Sequence, residues 1–262
     1  MVVRERTSLY DYEKIKKRMI KIVLDKNQKC YVTSDTHYSH KNIVKGETAW
    51  DLERAANSVR DYETRTDMNT DMVNNINSMV KPDDWLLHLG DWSFGGIEQI
   101  WEFRKSLNVK NILLVRGNHD HHIHPKSKPI YIDNSDIEIA ERLGIPVDRT
   151  DHKHIPYVMT QDLFTYVTVN PWVKVIYPNM SFNFDLFHRP MVTWEKISKG
   201  WMHLYGHLHS SPQFTSQFPG KCMDVGVDGN YMKPYDLMDV VKELQRKPID
   251  SFFSDDYHLK TV

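Results

Sequence analysis

The feature that most constrains this chain is a repeated pairing: a short apolar run of strand length, followed by a polar phrase built from His, Asp and Asn. The runs are 29–33, 85–89, 112–115, 182–187, 202–205 and 222–227. The phrases are Asp35-Thr36-His37, Gly90-Asp91, Gly117-Asn118-His119-Asp120, His188 ahead of Arg189-Pro190, and Gly206-His207-Leu208-His209. Helical patterns over 67–80 and 96–107 alternate with the early strands, which predicts an α/β fold. Loops leaving the carboxyl edge of a sheet meet in one crevice, so the polar phrases are expected there together.

The rest of the chain is read around that frame. Pro234 opens a helix expected to run to about 245, since its fixed φ suits a first helical turn. A Pro- and His-punctuated stretch, 121–180, reads as an insertion within a single domain spanning 1–262, because strand-end phrases resume after it at His188 and His207. It holds a short helix near 135–143 and two β-rich runs, 164–169 and 172–177, with Asn170-Pro171 between them suggesting a hairpin turn. Residues 1–28 form an N-terminal extension with an amphipathic helix expected over 10–24. Met68 and Met72, at helical spacing, and Trp85, Trp101 and Trp201 read as core.

Composition narrows the class. The chain has 262 residues, 40% apolar and 26% charged, with 7 Trp, 13 Tyr and 10 Phe, which excludes a disordered or coiled-coil protein. Lys and Arg number 34 against 35 acids, so no net field draws the molecule to DNA or to an anionic membrane. No run approaches the roughly 20 apolar residues of a membrane span, and the N-terminus lacks the apolar core of a secretory signal. A cytoplasmic location is the default expectation. Cys30 and Cys222 each lie in an apolar run and read as buried, reduced thiols.

The ligand types in the five phrases point to metal. Asp35 and His37, like His207 and His209, fall on one side if the backbone stays extended, and a short loop geometry would also make them converge. The glycines before Asp91, Asn118 and His207 suit a chain that turns sharply off a strand. Two Asp, one Asn and four His exceed what one zinc takes, about four ligands. They fit two divalent ions sharing a carboxylate in a mixed nitrogen and oxygen environment.

The ordered set DxH, GD, GNHD, H and GHxH resembles the calcineurin-like metallophosphoesterase superfamily. The phrases TSDTHYSHKNI, WLLHLGD, ILLVRGNHD and VGVDGNYMKP extend the likeness from about 31 to 244 and are similar to small phosphoesterases of bacteria and their phages. The resemblance implies a four-layer α-β-β-α sandwich with two mixed β-sheets and a dinuclear metal site at the strand-end loops. It implies one ion on Asp35, His37, Asp91 and His209, and a second on Asp91, Asn118, His188 and His207, with Asp91 bridging. The metal expected is manganese, with Fe, Zn, Ni and Mg as alternatives. His119 would face substrate as general acid or phosphate clamp, and a hydroxide held between the ions would attack phosphorus.

Several residues carry two readings. Asp120 either orients the His119 ring or is a turn-forming Asp. Arg189 either binds a phosphate oxygen or forms a surface ion pair. His40 is a phosphate contact or a support for the ligands. His88, inside an apolar strand, reads as a hydrogen-bonded core residue, and His121, His122, His124, His152 and His154 as solvated loop or substrate lid. Protein phosphatases of the superfamily carry a second Asp after GD and end the next block in Glu; here Gly90-Asp91 continues Trp-Ser-Phe-Gly and the block ends in Asp120, so they are disfavoured. The GNHD form resembles the phosphodiesterase side. The expected substrate is a small nucleotide-like or nucleic-acid phosphodiester, with a phosphomonoesterase or a non-catalytic metal-binding scaffold as alternatives. No basic stripe interleaved with aromatics supports extended nucleic acid, and neither a membrane partner nor an oligomeric state is indicated.

Overall fold

The computed structural model describes residues 19–55, 59–150 and 155–249. Twelve strands and five α-helices are assigned: β1 (Ile20–Val23), β2 (Cys30–Thr33), α1 (Leu52–Ala55), α2 (Arg65–Met79), β3 (Trp85–His88), α3 (Ile97–Ser106), β4 (Asn111–Val115), β5 (Ile130–Tyr131), α4 (Asn134–Leu143), β6 (Tyr157–Val158), β7 (Tyr166–Thr168), β8 (Trp172–Tyr177), β9 (Met180–Leu186), β10 (Met202–Tyr205), β11 (Cys222–Asp224), β12 (Tyr235–Asp236) and α5 (Leu237–Gln245). They build two five-stranded mixed sheets, ordered β12-β2-β3-β4-β7 and β1-β8-β9-β10-β11, plus the small pair β5-β6.

The sandwich follows from alternation. Cys30, Val32, Leu87, Leu113 and Val115 turn one face of the first sheet onto Ile22, Val173, Val175, Phe184, Leu186 and Leu204 of the second. The intervening Tyr31, Leu86, Ile112 and Leu114 face the other way, onto Met68, Met72 and Ile76 of α2 and Ile100 and Phe103 of α3. Strands buried on both faces must be apolar throughout, which is why these read as unbroken runs. In α2 the spacing of Met68, Met72 and Ile76 lays one buried stripe on the sheet, and Thr64 caps its start by accepting from the Asp67 amide at 3.1 Å. Among the described residues, the outer face of the second sheet is covered by Trp194 and Trp201 packed on Tyr205 and Cys222. Cys30 and Cys222 are buried and free.

Three local expectations are corrected. Asn170-Pro171 is no hairpin turn: β7 pairs parallel with β4 while β8 pairs with β1 and β9, so the dipeptide crosses between sheets. The hairpin is β8-β9, closed by Pro178-Asn179. The stretch 121–180 therefore supplies one strand to each sheet. The helix expected over 10–24 is overturned where it is described, since Ile20–Val23 is a strand parallel to β8. Its inside-outside alternation, with Ile22 buried and Lys21 and Val23 exposed, has the period of a strand; 10–18 lies outside the described residues, as do His152 and His154. Pro234 lies ahead of β12, and Asp236 caps α5 by accepting from the Met238 amide at 3.0 Å. Among the described residues no helix is long and apolar enough to cross a membrane.

For the site, direction matters most. β2, β3 and β4 are mutually parallel in one sheet, and β9 and β10 in the other. Ser34, just past β2, bridges Gly226, just past β11, so the two sheets are tied at one end. All five polar phrases leave strands there.

Candidate metal centre

Five of the expected ligands sit where side chains rarely do. Asp35, His37, Asp91, His207 and His209 have φ between 46° and 74°, the left-handed region that costs a residue with a Cβ of order 1–3 kcal/mol when held there. The surrounding bonds hold the turns in place. The Asp35 amide donates to the Gly90 carbonyl and the His37 amide to the Asp91 carbonyl, both at 2.9 Å. Gly117 is packed so closely on Asp91, and Gly206 on Ser34 and Asp35, that a Cβ at either would overlap them. Each glycine lets two ligand loops touch.

The carboxylates and imidazoles converge in two groups, Asp35 with His37 and His209, and Asp91 with His188 and His207, the ligand atoms of each group lying within 4.8 Å of one another. Asp91 joins them: its Oδ2 is 3.4 Å from His37 Nε2 and 3.3 Å from His188 Nε2. Its Oδ1 accepts from the His119 amide at 2.9 Å. Asn118 Oδ1 is 3.1 Å from His188 Nε2, which places it with the second group. All seven residues expected as ligands are thus brought together.

The arrangement fits cations. Asp35 Oδ1 and His37 Nδ1 are buried without a hydrogen-bond partner, a costly state unless something charged or polar is supplied. Asp35 Oδ2 accepts from the His207 amide at 2.9 Å, so only Oδ1 points into the site, 3.9 Å from His209 Nε2. Burial pushes the Asp35 carboxyl up to about 6. Burial would also lower His188, but the Asp91 and Asp35 carboxylates raise it to about 9. Burial works against ionised Asp91 as well, yet His188 and His37 hold it well below the usual carboxylate range. A deep pocket that concentrates two carboxylates among four imidazoles is the donor set of divalent first-row metals.

The outer groups were less legible. His188 Nδ1 donates to the Leu89 carbonyl at 2.8 Å, which aims Nε2 at the site. His209 Nδ1 donates to Asp228 Oδ2 at 2.9 Å with the same effect. Asp228 in turn is gripped by Arg60, Nε to Oδ1 at 2.8 Å and Nη2 to Oδ2 at 2.9 Å. The same guanidinium donates to the backbone carbonyls of Thr36 at 2.9 Å and Asp35 at 2.6 Å. Burial would raise the Asp228 carboxyl, but Arg60 and His209 hold it well below the usual range. Neither Arg60 nor Asp228 is among the residues the sequence singles out. Asp228 lies in the phrase VGVDGNYMKP and could have been suspected from its place after a strand; Arg60, in an irregular segment, gives no sequence signal.

His88 is fully buried as expected. Its Nε2 donates to Thr36 Oγ1 at 2.9 Å and its Nδ1 accepts from the Gly90 amide at 3.2 Å, so it braces the turn into Asp91. Burial lowers it to about 3.

Asp120 departs from the reading that it orients the His119 ring. Its Oδ2 accepts from the Asp91 and Gly117 amides at 2.8 and 2.7 Å, and its Oδ1 from the Trp92 amide at 2.9 Å. Both oxygens are used in clamping one ligand loop to the other. It is a positioning residue. Burial pushes its carboxyl up, opposed by those three amides.

On the open side, the half-buried His119 ring lies 5.3 Å from His37 and 6.5 Å from His40, between centroids. His40 is buried with Nδ1 unpartnered, and burial lowers it to about 4. Arg189 is exposed and forms no ion pair among the described residues, close enough to His207 to lower it further after burial has done so.

A family model for calcineurin-like phosphoesterases matches residues 29–241. The chain belongs to that family. The match begins one residue before β2 and ends within α5, so it takes in every ligand loop. The chain is also 32% identical over 95 residues to an uncharacterized protein of Methanocaldococcus jannaschii, covering 36% of this chain and 47% of that one. The match thus spans about half the length of that relative. Among solved structures, it is similar to a protein of unknown function from Aquifex aeolicus (19% identity, TM-score 0.49, 83% of this chain and 100% of that chain). It is also similar to the phosphopantetheinyl hydrolase of Mycobacterium tuberculosis (13% identity, TM-score 0.21, 66% of this chain and 49% of that chain).

Proposed function

We propose that the protein is a phosphoesterase working with two divalent ions, manganese first among the metals named above, on a small nucleotide-like phosphodiester. The observation that carries this reading is Asp91 Oδ2 set between His37 and His188 at 3.4 and 3.3 Å, a carboxylate oxygen shared by two ligand groups. Asp35, His37, Asp91 and His209 would hold one ion, and Asp91, Asn118, His188 and His207 the other. Bound divalent ions supply charge that acidifies water and neutralises phosphoryl oxygens.

The chain's own groups do the rest. As water's oxygen bonds to phosphorus and the ester bond breaks, His119 delivers its ring proton to the departing oxygen. Its backbone amide, tied to Asp91 Oδ1, sets where the ring stands relative to the ligands. Arg189, exposed and without a carboxylate partner among the described residues, is available to a phosphate oxygen. His40, buried beside His119, narrows the pocket and supplies an unpartnered ring nitrogen. Asp120 acts through the backbone amides of Asp91 and Gly117.

The test is a panel of phosphomonoesters, cyclic nucleotides, dinucleotides and single-stranded nucleic acid, assayed with manganese before and after chelation. Turnover of a small diester, abolished by the chelator and restored by metal, is expected. A fully loaded protein that hydrolyses no phosphoester, or one indifferent to chelation, overturns the reading.

A further inference from the structure

The ring of residues outside the ligand cluster is unusually aromatic. Phe94 is 39% exposed and Trp50 42% exposed, although both touch the centre of the molecule's polar end. The Phe94 ring lies 3.9 Å from His40 and 5.4 Å from His119, and Trp50 stands edge-on to His40 at 6.0 Å. A flat group laid on such a ring takes its apolar face out of water and gains by stacking.

Next to Phe94 is a cavity of about 220 Å³ lined by Phe94, Gly95, Ile100, His119, His121 and His122. At roughly 30 Å³ per water this is about seven waters, room for one ring system and too little for a chain of several. Gly95 and Gly96, with φ of 119° and 117°, leave that wall as bare backbone. No Lys or Arg lines the cavity, and its one carboxylate, Asp120, has both oxygens engaged with backbone amides. What the cavity offers is an aromatic face, aliphatic surface and imidazole nitrogens that donate or accept. A planar heterocycle with ring nitrogens uses all three; an alkyl chain or a bare sugar uses fewer.

Its position sets which part of a substrate it holds. The His119 ring stands between His37, a ligand residue 5.3 Å away, and this cavity, which it also lines. A group leaving phosphorus on the His119 side is carried straight into the cavity. We infer that this cavity is a subsite for a planar aromatic heterocycle, a nucleobase or its like, stacked on Phe94. The inference rests on the phosphoester reading above and deepens it by naming the substrate's second half.

The experiment measures binding by calorimetry to the manganese-loaded full chain, with inorganic phosphate, ribose 5-phosphate, adenosine 5′-monophosphate and hexyl phosphate as probes. Adenosine 5′-monophosphate is expected to bind at least about fivefold more tightly than ribose 5-phosphate, the low end of base stacking on an aromatic side chain. Phe94→Ala should bring that ratio close to one, and Phe94→Trp should restore or widen it. Equal affinities in the unmodified protein, a ratio that survives Phe94→Ala, or hexyl phosphate binding as tightly as the nucleotide overturns the inference. The two readings fail differently. If phosphate binds but the base adds nothing, the subsite is wrong; if phosphate does not bind at all, the phosphoester reading falls and takes the subsite with it.

Discussion

The two halves of the metal centre are built from the same kinds of ligand but held by different means. Asp35, His37 and His209 are backed by charge: Arg60 grips Asp228, Asp228 accepts from His209, and Arg60 also holds the Asp35 and Thr36 carbonyls. Asp91, His188 and His207 are backed by the main chain: a carbonyl orients His188, and three backbone amides converge on Asp120 behind Asp91. A buried ion pair is sensitive to loss of either partner, because the survivor is stranded away from water. A backbone clamp is sensitive to folding instead. The first half should therefore fail in metal affinity and stability together, the second in stability alone.

Asp91 belongs to both halves, and its loss is the largest effect expected. Asp91→Asn should weaken both ions by more than the about 10- to 100-fold that supporting groups cost. It removes a shared charge that screens the repulsion between two cations. Elemental analysis of the purified variant is the measurement. Retention of one ion at full affinity would show that the halves are not joined through this carboxylate.

His119 belongs to neither half and should separate rate from metal. With an alkoxide leaving group, His119→Asn is expected to slow turnover about 10²- to 10⁴-fold while metal content stays the same. With a nitrophenolate, which departs readily as an anion, the penalty should shrink. An equal loss on both substrates would assign His119 to the phosphoryl charge, and loss of metal would place it among the ligands.

Asp120→Ala tests the backbone-held half. Three amides lose their acceptor, those of Asp91 and Trp92 buried and that of Gly117 part-buried, each buried one worth roughly 1–3 kcal/mol when left unpaired, so Tm should fall by about 10 °C in a chain of this size. Asp228→Asn tests the charge-held half, with about a 10- to 100-fold loss of affinity for one ion and a fall in Tm as well, because the buried Arg60 guanidinium loses its carboxylate. The contrast is what matters. If Asp228→Asn leaves both ions at full affinity, or Asp120→Ala loosens metal with no fall in Tm, the assignment of the two kinds of support is wrong.

The sequence carried the ligands better than their supports, for a physical reason. Ligands must sit at strand ends, so apolar runs followed by Asp35, Asp91, Asn118, His188 and His207 announce themselves. The partner of a ligand need only reach it in space. Arg60 comes from an irregular segment and Asp228 from a 3₁₀ turn, 168 positions apart, and no local pattern joins them. Asp120 was visible, but its task depends on where three amides point. The sheets show the same divide: the alternation in β1 is local and legible, whereas the crossing of Asn170-Pro171 from one sheet to the other depends on pairing partners distant in sequence.

The smallest effect expected lies beneath the backbone-held half and concerns pH. His203 on β10 is fully buried, packed between Trp194 and Tyr205. Its Nδ1 donates to the Asp185 carbonyl at 2.9 Å and its Nε2 accepts from the Met191 amide at 3.1 Å. A proton on Nε2 would set one N–H against another, so the ring must stay neutral, and burial lowers it to about 4. The unfolded chain protonates this residue near the ordinary 6.5. Below that pH the unfolded state holds more protons than the folded one, so stability falls as pH drops from about 6.5 toward 4 and is flat above. The loss is about 1 kcal/mol at pH 6 and on the order of 3 kcal/mol at pH 4. The charge-held half is not spared: Asp228 stays ionised throughout that range, but burial holds the His37 imidazole well below its ordinary value, and His88 of the first sheet is lowered to about 3. In urea titrations, His203→Gln should be less stable at pH 7.5 through altered hydrogen bonds, yet show a shallower decline between pH 6.5 and 4. An unchanged slope in the variant would mean that other buried imidazoles, His88 of the first sheet among them, set the acid limit in place of His203.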